Sequence, residues 1–370
     1  MTPLLILLGC TSGGTVTAPD SGATTGQDSG TVDVPAPTHL VINTNAGVEQ
    51  RALDGTLEAV WAWAELTTEC GGGCNAEGIQ VDGDGLIAAY SKSMTSGGVL
   101  RLKAHDGDLV TDWDLQDYSF PHDGITDPSG LGVIIAETFA ARILWLDPLD
   151  ETVHHTLDDT EPTWDYSLPN SLELIAHQDR SYLLMSNRGN DLSGGASTAI
   201  DGTLVLWDIT EPTAPEQLWA YPESGTVGMP HSPVITRVSG SWVLAYAHTI
   251  GVHQSGSDGA GSVGLAVTDD LTVRPSYVGD GILPESLGDI ETTRGVALGT
   301  DGQLYVTETG ARGGTGRLLT ATLPALTPQD VTGAYSVDHA QQVYLTLEDA
   351  VVLTDELTGA FEPRLWTPSY

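Results

Sequence analysis

"SFPHDGITDPSGLGVIIAETFAARILWLDP", residues 119–148, holds the pattern from which the fold is read. A polar Pro-His-Asp-Gly opening gives way to the apolar run 133–136, a turn, and a second apolar run over 143–146. Short apolar runs bounded by Gly, Pro and Asp read as buried strands rather than helices. The layout recurs along the chain. Related openings stand at "CNAEGIQV" near Asn75, "PNSLELI" near Asn170, "PHSPVIT" near His231 and "TTRGVAL" near Arg294, with a weaker one at "YSVDHAQQV" near His339. Each starts a unit of strand, turn, strand, loop, strand, turn, strand. Successive units lie about 45 to 62 residues apart, the spacing of four-stranded propeller blades.

These repeats predict an all-β chain folded as a β-propeller of four-stranded blades, six in number, with seven as the alternative. A sandwich is disfavoured because its strands would not recur in sets of four. Residues 38–63 resemble the later strands of a blade that lacks its first. They are expected to pair with strands from residues 335–366, so that N- and C-terminal strands close the ring and remove exposed sheet edges.

Charge narrows the function classes. Fifty acidic residues face thirteen basic ones, a formal net of −37 in 370 residues, and only two of the cations are lysines. A nucleic-acid backbone would be repelled, since binding it depends on cations that displace counterions. The acidity fits an extracellular surface, a salty milieu or divalent cations on carboxylates.

Residues 1–10, "MTPLLILLGC", are too short to span a bilayer and lack a basic n-region. The "LLGC" ending resembles a bacterial lipobox, which makes Cys10 the expected lipidation site. Residues 11–38 are Gly, Ser, Thr, Asp and Pro with almost nothing bulky, the composition of a flexible tether. The expected organisation is therefore a lipoprotein signal over 1–10, a tether over 11–38 and one propeller domain over 39–370. The expected address is the outer membrane, facing the periplasm or the cell surface. The only expected membrane link is a lipid anchor, and the chain is expected to be a monomer. Cys70 and Cys74, in "ECGGGCN", are expected to form a disulfide, because an export compartment permits it and the glycines let the loop close. A C-x3-C metal half-site competes, but no second Cys pair or His partner motif is present.

No G-x-S-x-G elbow, H-E-x-x-H, complete EF-hand loop or Walker A lysine occurs. "GAGSVG", residues 259–264, matches a dinucleotide fingerprint but leads into a strand-like run, so no helix N-terminus would meet a phosphate. The blade openings are the better lead. In a propeller the innermost strands start near one mouth of the central channel, so equivalent residues converge. The converging set would include Asn75, Glu77, His122, Asp123, Asn170, Glu173, His231, Arg294 and His339.

"PHDGITD…VIIAETFAARILWLDP", "WDYSLPNSLELI…YLLMSNRGN" and "MPHSPVI" resemble bacterial arylsulfotransferase-type propellers, whose repeats also open on His or Asn. "RGVALGTDGQLYVTETG" is similar, more loosely, to NHL-type and gluconolactonase-type six-bladed propellers. The first resemblance implies a central histidine that carries a sulfuryl group from an aryl sulfate to a phenol. His122 and His231 would then be nucleophile and acid/base, and Arg294 would hold the sulfate oxygens.

Two other readings stand beside it. One is a propeller that binds a small molecule, glycan or protein at its funnel, with Asn75, Asp123, Asn170 and His339 as ligand-binding residues. The other is a lactonase-like hydrolase with Ca²⁺ on Glu77, Asp123 and Glu173. Plain structural roles compete at each position. His122 and His231 could cap strands, and Arg294 could pair with Asp289 or Glu291. His154 and His155 read as solvated surface. Trp61, Trp113, Trp145, Trp207 and Trp219 recur as packing residues between blades.

Overall fold

The computed structural model describes residues 39–44, 47–62, 75–82, 85–93, 96–103, 109–114, 121–129, 132–147, 152–158, 168–187, 202–222, 230–248, 262–281, 293–308, 317–323, 329–330 and 342–346. Cys10, the tether, Cys70, Cys74, Asp289, Glu291 and His339 lie outside the described residues.

The first strands along the chain are β1 (His39–Thr44), β2 (Gly47–Ala52) and β3 (Leu57–Ala62). There follow four full sets. The first is β4 (Asn75–Asp82), β5 (Gly85–Ser93), β6 (Ser96–Lys103) and β7 (Leu109–Asp114). The second is β8 (Pro121–Thr126), β9 (Val133–Glu137), β10 (Arg142–Asp147) and β11 (Thr152–Leu157). The third is β12 (Pro169–His177), β13 (Arg180–Asn187), β14 (Thr203–Asp208) and β15 (Glu216–Tyr221). The fourth is β16 (Pro230–Val238), β17 (Ser241–His248), β18 (Ser262–Thr268) and β19 (Ser276–Gly281). β20 (Thr293–Leu298), β21 (Gln303–Glu308), β22 (Arg317–Thr322), β23 (Gln329–Asp330) and finally β24 (Gln342–Thr346) complete the described strands.

They form six four-stranded antiparallel sheets. In five of them the strands pair in chain order. The sixth has the order β24-β1-β2-β3, so the last strand supplies the inner edge of the sheet that the first strands began. Asn43 faces Gln342 and Ile42 faces Val343 across that seam. Inner strands pack in sequence, β4 on β8, β8 on β12, β12 on β16, β16 on β20, β20 on β24 and β24 on β4, which closes a ring. This is the expected propeller, sealed by strands from both ends of the chain.

Middle strands carry continuous apolar runs because neighbouring sheets cover both of their faces. β9 is buried throughout, whereas the outermost strand β11 is exposed over its first half. One apolar cluster joins Ile134, Ile143 and Trp145 of the β8–β11 sheet to Leu172, Met185 and Trp207 of the β12–β15 sheet. Similar clusters fill the next gaps around the ring, as far as Ala297 and Tyr305 against Leu40 and Ile42. Trp145, Trp207 and Trp219 pack between sheets as expected, but the five tryptophans fall in two series of strands rather than at one equivalent position. Trp145 and Trp207 sit in third strands, while Trp61, Trp113 and Trp219 sit in fourth strands. His154 is exposed, but His155 is half-buried with its ring edge-on to Trp145 at 5.2 Å. In the decoy loop, β18 already begins at Ser262, and Gly264 lies against the ring of Tyr246 inside the sheet.

Candidate functional site

Each of the five described blade openings breaks its ladder near its start. The pairing register slips between Ala76 and Ile79, Pro121 and Asp123, Pro169 and Leu172, His231 and Val234, and Thr293 and Gly295. A bulge at the start of a strand turns side chains away from the pleat, and bulges concentrate at rims and next to sites. Glu77, His122, Asn170 and Arg294 lie within their slips. His231 is the last paired residue before its own, but it follows Pro230 as His122 follows Pro121 and Asn170 follows Pro169, so the five take corresponding places around the axis. In chain order they are 5 %, 4 %, 0 %, 2 % and 6 % exposed, so five polar side chains have left bulk water together.

They also meet. Nε2 of His122 lies 3.2 Å from Oε2 of Glu77. The rings of His122 and His231 are 5.8 Å apart between centroids, although their strands are separated by β12. Burial pulls the Arg294 guanidinium down to about 10, and the charge of Glu77 opposes the shift. Arg294 is therefore a cation at neutral pH. Among the described residues Asn170 Nδ2 and Arg294 Nε have no hydrogen-bond partner.

One residue further along each opening lie Gly78, Asp123, Ser171, Ser232 and Gly295, and the first four of these tie neighbouring sheets together. Asp123 accepts the Gly124 N–H through Oδ1 and the Leu172 N–H, in the next sheet, through Oδ2, both at 2.8 Å. Ser171 Oγ accepts the Ser232 N–H at 3.1 Å, again from the next sheet. Amides released by the slips find hydroxyls on second strands: Ser171 N–H donates to Ser186 Oγ and Gly295 N–H to Thr307 Oγ1. Asn43 Nδ2 lies within 3.0 Å of the Glu77 and Gly78 carbonyls, and Thr138 Oγ1 donates to the Pro169 carbonyl at 2.7 Å. The bulges that present the axial ring are thus pinned from both sides.

The sequence-predicted residues sort accordingly. His122, Asn170, His231 and Arg294 stand on the ring. Glu77, expected as a metal ligand, is the ring residue of its sheet. Asn75 lies two residues before that position, paired with Ser91. Asp123 belongs to the ties between sheets, since its carboxylate oxygens take backbone N–H groups. Glu173 is fully buried, and desolvation, with the Asp123 charge adding to it, pushes its carboxyl up to about 8. It therefore holds its proton at neutral pH. Among the described residues no group of three or more His, Cys, Asp or Glu side chains is arranged to hold a metal ion. Glu77, Asp123 and Glu173 do not fit a Ca²⁺ cage, because their carboxyls are engaged with His122, with backbone amides and with a retained proton. Sequence reasoning missed Asn43, Ser171, Ser186 and Ser232. A hydroxyl or carboxylate in the third place of "PHDG", "PNSL" and "PHSP" was the available signal.

Ring and fold together define a β-propeller with a buried polar cluster at its axis. No protein-family model and no curated protein matches this sequence. Solved structures do match it in fold. A hypothetical selenium-binding protein from Sulfolobus tokodaii is 9 % identical, with a TM-score of 0.53, over 85 % of this chain and 94 % of that one. A protein from Lactobacillus plantarum is 13 % identical, with a TM-score of 0.50, over 83 % of this chain and 98 % of that one. At such identity the likeness is one of architecture alone.

Proposed function

We propose that this protein is an exported, lipid-anchored propeller that binds a small anionic molecule at the axial ring of Glu77, His122, Asn170, His231 and Arg294. One observation carries the reading: Asn170 Nδ2 and Arg294 Nε are buried donors with no acceptor among the described residues. A buried donor left unsatisfied costs about 1–3 kcal/mol, which a bound acceptor offsets. The nearby acids do not oppose an anion. Glu173 keeps its proton, Glu77 is engaged by His122 and Arg294, and both oxygens of Asp123 are occupied.

The test is titration calorimetry of the full chain with 4-nitrophenyl sulfate and with inorganic sulfate. Arg294→Gln should weaken binding of the aryl sulfate on the order of ten- to a hundredfold, the range for a charge-assisted hydrogen bond. Absence of binding by folded wild type at millimolar probe sinks the proposal.

A second reading, arylsulfotransferase-like transfer, is favoured by the Glu77–His122 contact with His231 close by. A carboxylate that orients an imidazole beside a second imidazole is a workable nucleophile and acid/base set. A nitrogen of His122 would displace the aryl oxide from sulfur while His231 protonates the leaving oxygen. A phenol would then take the sulfuryl group from nitrogen, returning its proton to His231. Phenol-dependent release of 4-nitrophenol should be present in wild type and lost in His122→Ala and His231→Ala. Wild type that binds the ester without turnover leaves the protein a binding module.

A further inference from the structure

Asn170 does not choose its own orientation. Ser171 Oγ accepts the Ser232 N–H at 3.1 Å and gives its one hydrogen to Asn170 Oδ1 at 3.0 Å. Ser171 is itself held, its N–H donating to Ser186 Oγ at 3.0 Å. Ser232 stands at φ +42°, a left-handed conformation that serine seldom adopts, and from it the Ser232 N–H reaches Ser171. With Oδ1 committed, the amide of Asn170 is left as a donor, and Asn170 Nδ2 is the buried group without a partner among the described residues. The strained Ser232 directly follows His231, so the same hydroxyl fixes the backbone beside a second ring residue.

We propose that Ser171 sets the hydrogen-bonding polarity of the axial ring. It fixes Asn170 as a donor and, through Ser232, holds His231 beside it. The ring then selects molecules that place an acceptor oxygen at Asn170 and rejects those that place an N–H there. Ser171 is a positioning residue, and its role rests on the reading of the ring as a ligand site.

Two measurements test it. The first takes the pose with the sulfate on Arg294 and the para substituent at Asn170. It compares binding of 4-nitrophenyl sulfate, whose para substituent accepts hydrogen bonds, with 4-aminophenyl sulfate, whose para substituent donates them. Wild type should prefer the nitro compound on the order of tenfold, about the worth of one hydrogen bond. Ser171→Ala should bring the ratio near unity, Ser171→Thr should keep it, and Asn170→Asp should reverse it. A wild-type ratio retained by folded Ser171→Ala overturns the proposal.

The second measurement needs no ligand. Nitrogen-15 relaxation of the Asn170 side-chain amide in asparagine-labelled full-length protein should report an ordered group in wild type and Ser171→Thr. In Ser171→Ala it should report a mobile one. An amide equally rigid in Ser171→Ala refutes the Ser171 role whether or not either sulfate ester binds. Failure of both esters to bind wild type, with the relaxation difference present, removes only the anion-site reading.

Discussion

Gly78→Ala should destabilise the fold on the order of 3 kcal/mol, the range for forcing a group into a filled site. Added to Gly78, a methyl group would fall on the carboxylate of Asp123, with Asp123 Cβ at 2.8 Å. Neither side can yield cheaply. The carboxylate is fixed by the N–H groups of Gly124 and Leu172, and the Gly78 carbonyl is held by Asn43. Moving Asp123 would break a tie between two sheets, and moving Gly78 would shift Glu77 away from His122. Urea denaturation measures the effect, and a cycle with Asp123→Ser isolates its cause. Shortening the acid should make the second alanine substitution much less damaging. Equal stability of Gly78→Ala and wild type would show that the close approach is not a constraint.

Glu173→Gln should stabilise the protein, by an amount that depends on pH. In the unfolded chain the carboxyl titrates near its ordinary 4.5, and in the native state near 8. Below the lower value both states are protonated and the substitution changes little. Between the two, unfolding releases a proton, so wild type loses stability as pH rises. Above the upper value the native carboxyl ionises as well and the loss levels off. Glutamine has no charge to desolvate, so the variant's advantage should grow from pH 5 and reach on the order of 3 kcal/mol at pH 7. Guanidinium denaturation at pH 5, 7 and 9 checks this. A difference that stays constant across the three pH values would refute a buried titrating acid.

Most of the fold was legible because a propeller repeats its grammar. Apolar runs, turn residues and polar openings recur at one period, and the unpaired first strands call for a partner near the other end of the chain. The ring was legible where an opening carries a landmark. Proline precedes His122, Asn170 and His231, so those positions align by eye. The opening at Asn75 has no such proline, and the bulge moves the ring position to Glu77. Ser171 and Ser232 could not be picked out, because small hydroxyls are common in turns and their bond joins residues 61 apart in sequence. Glu173 looked like a ligand because sequence shows a carboxyl but not the burial that keeps it neutral.

The seam between β1 and β24 has a temporal consequence. Ribosomes make the ring residues of β4 through β20 before they make Gln342–Thr346, so the last of the described strands closes a circle begun at His39. Asn43, which pins the Glu77 bulge, lies in β1 directly opposite Gln342 on that late strand. Closure of the ring is therefore a contact between residues about 300 positions apart, the kind that forms late in folding because its loop-closure entropy must be met before the contacts reward it.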